Sequence, residues 1–317
     1  MSWVASLLLA ACSASAFQGP LLLSRPPVSS LPGDTPPVSI RVDTTLVLIP
    51  AHVTTAGGAS VTNLSKDSFR LSEDNVEQTI TYFAKDDAPI SIGVLFDTSG
   101  SMHNKMRRSS EAAATFFQTA NPQDEFFLIE FNDRPKLTVP FTNDPDEIYR
   151  HVLRARPFGR TSLLDAVHLA SAQMRHARNA RKAILIVSDG GDNRSRFTPH
   201  QVQEEVLESD MQTYAIGIFD DDATRKRTTE EEQRGPDLLE SLAAATGGRH
   251  YRVDDLDQLP AVAARVSTDL RNQYLLGYSP TNTERDGKYR RVKVNLMGSA
   301  EAELRTYYRR GYYAPIQ

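Results

Sequence analysis

Five side chains of this 317-residue sequence stand out by type and spacing: Asp97, Ser99 and Ser101 in the run Asp97-Thr98-Ser99-Gly100-Ser101, then Thr161, then Asp189. Asp97 ends the apolar run Ile92–Phe96, Asp189 closely follows the run Ala183–Val187, and Thr161 stands where a helical pattern over 161–178 begins. Runs this continuously apolar read as strands buried on both faces, which belong in a parallel sheet covered by helices. In such a sheet ligands gather at the carboxyl ends of the strands. Two carboxylates and three hydroxyls converging on one rim form an all-oxygen set. That set suits a hard divalent cation, Mg²⁺ before Mn²⁺ or Ca²⁺, and not zinc. Taken singly, a Ser or Asp after a strand is an ordinary turn residue. Asp192 and Asn193 read equally as neighbours of the rim or as caps of their own loop.

The elements that must position these groups follow from texture. Phe126–Ile129 and Tyr214–Ile218 are two more apolar runs. Between the runs, 104–120 and 161–178 carry apolar residues at helical spacing, and 200–209, 237–245 and 257–271 are further helix candidates. Strands alternating with helices predict βαβ units. Residues 220–236 are a charged stretch read as a solvated loop. Residues 39–87 and 272–317 instead alternate like half-buried strands. The tyrosines Tyr307, Tyr308, Tyr312 and Tyr313 read as half-buried strand residues or as a binding face. The predicted fold is α/β, a doubly wound, mostly parallel Rossmann-like sheet with helices on both faces. It is inserted in a β-sandwich-like domain built from the N- and C-terminal segments. No internal repeat is visible.

The pattern D-x-S-x-S with a later Thr and a later Asp resembles the metal-ion-dependent adhesion site of von Willebrand factor type A domains, and Asp97, Ser99, Ser101, Thr161 and Asp189 match all five of its positions. The resemblance covers about 88–271. The flanks, F-R-L-S-E-D-N-x-x-Q-x-I-x-x-F and Q-Y-L-L-G-Y-S-P-T-N with R-x-G-Y-Y, are similar to a von Willebrand-related family first described in acidobacteria. The resemblance implies that the hydroxyls of Ser99 and Ser101 bind the metal directly. It implies that Asp97 and Asp189 act largely through water, and that Thr161 moves between inner and outer shells. Hydroxyl ligands leave a cation under-neutralised, so an Asp or Glu of a protein partner can complete its shell.

Composition bounds the rest. The length fits about two domains, and 40% hydrophobic with 24% charged residues fits a globular chain. A formal charge of −4 gives no global basic field for nucleic acid. No apolar run approaches the roughly 20 residues of a transmembrane helix. Residues 3–11 form a short apolar run followed by small residues. Ala14 and Ala16 supply a cleavage pattern with a mature start at Phe17. Leu9-Ala10-Ala11-Cys12 also resembles a lipoprotein box, which would make the one cysteine, Cys12, a lipid anchor. No Lys or Arg precedes the run, so an uncleaved apolar N-terminus stays open. The expected organisation is a signal segment 1–16, a Pro-rich linker 17–38, β segment 39–87, von Willebrand-type domain 88–271 and β segment 272–317.

The sequence holds no G-x-S-x-G elbow, P-loop or H-E-x-x-H motif. Its seven histidines form no ligand-spaced set, although His103 follows the serine loop closely. The expected function is an exported, non-enzymatic module that binds an acidic partner side chain through a metal. A structural envelope module with a loop-stabilising metal and a metal-assisted hydrolase are its rivals. The oligomeric state stays open.

Overall fold

The computed structural model describes residues 46–86, 88–219, 230–298 and 304–316. The expected signal segment with Cys12, the linker, the first residues of the N-terminal β segment and positions 220–229 lie outside these.

Four strands open the described chain: β1 (Val47–Thr55), β2 (Phe69–Glu73), β3 (Val76–Gln78) and β4 (Ile80–Asp86). Asp74 and Asn75 turn β2 into β3 with φ of 46° and 68°, a backbone region these two residues tolerate. The next stretch alternates strands and helices: β5 (Ile90–Asp97), α1 (Met106–Phe117), β6 (Glu125–Phe131), β7 (Pro135–Thr142), α2 (Pro145–Arg154) and α3 (Leu163–Met174). It continues through β8 (Arg181–Ser188), α4 (Pro199–Glu208), β9 (Gln212–Ile218), α5 (Glu230–Thr246), β10 (His250–Val253) and α6 (Leu259–Arg271). Four strands close the chain: β11 (Gln273–Tyr278), β12 (Tyr289–Leu296), β13 (Leu304–Tyr308) and β14 (Gly311–Tyr313).

The central sheet has the order β10-β9-β8-β5-β6-β7. All its pairs are parallel except β6 with β7. Each central strand feeds both layers. Ile92, Val94 and Phe96 pack under α1, α2 and α6, and Leu95 packs under α3, α4 and α5. From β5 the chain steps to β6 on one side and later to β8 on the other, so strand order reverses at β5. A crevice opens outside the carboxyl ends of the strands at such a reversal, and those ends carry Asp97 and Asp189.

The outer strands interleave. β1 lies between β13 and β11 in a sheet ordered β13-β1-β11-β4, and β12 lies between β14 and β2 in a second sheet ordered β14-β12-β2-β3. Ile49, Ala51 and Val53 of β1 meet Tyr274 and Leu276 of β11 and Val292 and Val294 of β12 in one apolar core. Neither terminal segment closes such a core alone.

A buried polar group ties the sandwich to the central domain. Asp269 on α6 is fully buried. It accepts hydrogen bonds from Arg249 Nη1 at 3.1 Å, from Ser60 Oγ at 3.3 Å and from the Tyr251 hydroxyl. His52 of β1 stands 3.4 Å away.

Local patterns account for most elements, with three differences. Residues 230–236, expected in a loop, form the first turns of α5, with Pro236 inside the helix. A short further strand, β14, follows β13 at the end of the 272–317 segment. Three elements had no sequence reading: β7, α2 and β10. β7 is an edge strand with one buried residue, Val139. α2 has only Ile148 and Val152 buried, and its start is fixed by the Asp144 cap and Pro145. Among the described residues no helix is long and apolar enough to cross a membrane.

Candidate metal centre

Asp97 is the last residue of β5 and is fully buried. Its Oδ1 accepts the Ser99 N–H at 2.8 Å, and its Oδ2 accepts the Ser188 hydroxyl at 2.5 Å. Ser188 Oγ also accepts the Gly190 N–H at 2.9 Å. The carboxylate therefore pins both the serine loop after β5 and the loop after β8. Ser99 caps a short 3-10 turn, Gly100–Met102, whose Met102 is buried. That turn brings the Ser99 and Ser101 hydroxyls to 3.1 Å from each other.

Thr161 stands two residues ahead of α3, with Ser162 as the cap residue. Its backbone is held from both sides: its N–H donates to Asn193 Oδ1 at 3.1 Å, and its carbonyl accepts from Asn193 and Arg194 N–H groups. Asp192 Oδ1 accepts the Leu163 N–H at 3.0 Å. Asp192 and Asn193 thus fix the threonine loop against α3. A side-chain carbon placed on Gly191 would lie 3.5 Å from Asp189 Oδ1 and 3.9 Å from Thr161 Oγ1, so these oxygens flank one glycine. Burial and then the charge of Asp189 push the Asp97 carboxyl up to about 7. The five residues marked in the sequence therefore stand together at one strand-end crevice.

The donor set fits a small hard cation. Adjacent ligands of an octahedral ion with 2.0–2.1 Å bonds lie about 2.9 Å apart, against about 3.5 Å for calcium distances. The Ser99–Ser101 separation of 3.1 Å is nearer the former. Among the described residues no three His, Cys, Asp or Glu side chains cluster at metal-binding separation. A centre here accordingly rests on hydroxyls assisted by two carboxylates.

Two residues of the site had no reading in the sequence. Lys105, 5% exposed at the cap position of α1, donates from Nζ to Asp189 Oδ2 at 3.0 Å. A lysine at a helix N-terminus opposes the helix dipole, and that misplaced charge was the available signal. Gly235 of α5 is the other. A side-chain carbon there would stand 2.7 Å from the Asp189 carbonyl oxygen and 2.9 Å from Gly190 C. Gly190 itself has φ 78°, a conformation that favours glycine. Glycine inside a helix ordinarily loses about 0.5–1 kcal/mol to alanine. Gly235→Ala is nonetheless expected to lower the melting temperature and to weaken whatever stabilisation Mg²⁺ provides, because the methyl displaces the Asp189 loop. An unchanged Mg²⁺ response in a folded variant would show that this packing does not position the loop.

Residues 92–191, which include all five rim residues, match the von Willebrand factor type A domain family. The mouse inter-alpha-trypsin inhibitor heavy chain 4 is 26% identical over 153 residues, 43% of this chain and 16% of that protein. The chain therefore matches only a small part of that relative's length. Among solved structures, a von Willebrand factor type A protein from Catenulispora acidiphila covers 81% of this chain and 75% of its own at TM-score 0.51 and 13% identity. Proximal thread matrix protein 1 of the mussel byssus covers 63% and 51% at TM-score 0.50 and 14% identity. At these identities the structural likeness is one of fold. Residues 92–191 thus match the von Willebrand factor type A family, and the helix-covered sheet that contains them has a von Willebrand factor type A-like α/β fold.

Proposed function

We propose that Asp97, Ser99, Ser101, Thr161 and Asp189 hold a divalent cation, Mg²⁺ or Mn²⁺ before Ca²⁺, and that through it the domain binds an Asp or Glu side chain of a partner protein. Domains of this family commonly mediate protein interaction or adhesion, which supports a binding role. The observation that carries the reading is the Ser99–Ser101 hydroxyl pair, 3.1 Å apart and bonded through Ser99 to a buried carboxylate. When bound, the cation supplies a positive coordination position that a carboxylate can fill. Ser99 and Ser101 offer neutral oxygens to it, and Asp97 and Asp189 supply charge. Lys105 tempers that charge by pairing with Asp189. Two carboxylates and one ammonium leave a single net negative charge. A divalent ion then leaves one positive charge, which one partner carboxylate neutralises. Among the described residues no base beyond the two carboxylates has been placed at the site, and the proposal is a binding module rather than a hydrolase. Capture of proteins from an envelope extract, with Mg²⁺ and with EDTA, tests it: retention must need the metal, must be lost in Asp189→Ala and must be weakened in Ser99→Ala. Thr161→Ala is expected to weaken capture more than metal uptake.

The Lys105–Asp189 pair also favours a second reading, in which the lysine alone pins the loops and no metal is needed. Lys105→Met separates the two. Removing the donor is expected to destabilise the metal-free protein by about 1.5–3 kcal/mol. In the metal-binding reading Mg²⁺ then restores more stability to the variant than it adds to wild type, because the competing ammonium is gone. A variant equally destabilised with and without Mg²⁺ would favour the lysine-only reading. We place the protein outside the cytoplasm on the apolar run at 3–11. Mass spectrometry of the natively expressed protein should find a start at lipidated Cys12 or at Phe17, and an intact Met1 would count against export.

A further inference from the structure

A second site lies beyond the edge strand β10, which β9 separates from β8. There a cleft of about 1100 Å³ opens between α5, the start of β10 and the strands β12 and β13. None of the five metal-centre residues lines it.

Two properties of this cleft point to its ligand. The first is charge. Arg291 and Lys293 project from alternate positions of β12, Arg305 from β13, and Arg310 from the link between β13 and β14. All four are exposed. Among the described residues none of the four has an ion-pair partner, whereas Arg249, which also lines the cleft, is held by Asp269. The acids in the lining are Asp74 and Glu240. On a chain of net charge −4 the cleft is a local reversal of sign.

The second property is a strand edge. Among the described residues β13 is the outermost strand of its sheet and pairs with β1 alone. Among the described residues no other backbone hydrogen bond reaches it. Arg305, Thr306, Tyr307 and Tyr308 all line the cleft. Successive side chains of a strand point to opposite faces. Four consecutive lining residues therefore mean that the cleft runs along the edge of β13 that faces away from β1; Gly247 abuts that edge at Tyr308, and from Arg305 to Tyr307 the outward backbone groups have no backbone partner among the described residues. Such an edge is a template for an added strand.

The geometry points to an extended acidic polypeptide segment as the ligand, added to the sandwich as a strand beside β13 with its carboxylates on Arg291, Lys293 and Arg305. The backbone edge supplies affinity and the cations select acidic side chains at alternating positions. A polysaccharide or a nucleic acid would engage the cations but has no use for the strand edge. Nor does the site depend on the metal centre.

The probe is a fluorescein-labelled octapeptide of alternating Thr and Glu, titrated with the full chain in EDTA and followed by anisotropy. Saturable binding in the micromolar range is expected, falling as salt rises. The Thr–Lys peptide is expected not to bind, and the Thr–Glu peptide N-methylated along one edge should bind at least about tenfold more weakly. Charge reversal in Lys293→Glu/Arg305→Glu should also weaken binding about tenfold or more, as the loss of two surface pairs implies. The positions are exposed; circular dichroism checks the fold, and the neutral pair Arg291→Gln/Arg310→Gln provides a gentler variant expected to weaken binding in the same direction. The proposal is overturned if the peptide fails to bind at millimolar concentration, if the charge-reversed or N-methylated partners bind as well as the originals, or if a polyuronate or a single-stranded oligonucleotide of equal charge binds more tightly. Because EDTA is present throughout, a failure here is independent of any failure of the metal centre.

Discussion

Asp189→Ala is expected to abolish Mg²⁺ uptake in the millimolar range, and Asp97→Ala to do nearly the same. Each deletes one of the two carboxylates proposed to face the cation, and one of them, Asp189, pairs with the Lys105 ammonium. A unit charge about 4 Å from another contributes on the order of 4 kcal/mol at the effective dielectric of a protein surface, about a thousandfold in affinity. Asp189→Ala has the larger effect, because it also leaves Lys105 buried without its partner. Ser99→Ala and Ser101→Ala remove neutral oxygens and should weaken uptake by about tenfold each. Calorimetric titration of the four variants, with circular dichroism to check the fold, measures this order. An Asp189→Ala protein that binds Mg²⁺ as wild type does would remove the carboxylate from the centre. The same geometry sets a pH dependence. Burial raises the Asp97 carboxyl to about 7, above its ordinary 3.8. The folded, metal-free protein thus binds a proton that the unfolded chain releases, so this group's contribution to stability falls as pH rises from about 4 to about 7. In EDTA, Asp97→Asn should therefore gain on wild type across that window, and Mg²⁺ should stabilise wild type more at pH 8 than at pH 6.

Asp269→Ala is expected to be the most destabilising single change outside the cores. It strips the partner from Arg249 and the acceptor from Tyr251 and Ser60 at the seam between α6, β10 and the sandwich. Removing one member of a buried ion pair costs about 3–5 kcal/mol. At this size that is a fall of roughly 10 °C in melting temperature. Asp269→Asn keeps an acceptor and should lose less. The seam also has opposing proton linkages. Burial lowers His52 to about 4 and raises Asp269 to about 6. The histidine makes stability fall as pH drops below 6.5, and the aspartate makes it fall as pH rises from about 4 to about 6. The two slopes oppose each other in wild type. His52→Gln removes the first, so its stability relative to wild type should rise as pH falls from 6.5 to 4.5. Thermal melts at the two pH values give the answer, and a variant that instead loses ground at low pH would refute the linkage.

Much of the site was legible because it rests on local rules. Asp97 and Asp189 end strands whose unbroken apolar runs place them inside a helix-covered sheet, and in such a sheet the strand ends are where polar groups can gather. Ser99 and Ser101 are near neighbours of Asp97 in sequence, and Thr161 marks the approach to a helix. Tertiary partners were not legible. Lys105 reaches Asp189 across 84 positions of sequence, and nothing short of the fold announces that a lysine capping α1 faces the loop after β8. Gly235 lay in a stretch whose charge reads as loop, yet it stands in α5 against the Asp189 backbone. β7 buries a single residue, Val139, and α2 is a short, mostly polar helix whose apolar anchors are only Ile148 and Val152. The basic cleft was hidden for a related reason: a net charge of −4 averages over the chain, while Arg291, Lys293, Arg305 and Arg310 come together only when β12 and β13 are placed.

The most direct measurement is Mn²⁺ binding to the wild-type chain by electron paramagnetic resonance, with Mg²⁺ as competitor. One Mn²⁺ bound per chain, displaced by Mg²⁺ and absent from Asp189→Ala, is the expected result. Wild-type protein that remains folded by circular dichroism and binds no Mn²⁺ at millimolar concentration would contradict the metal centre.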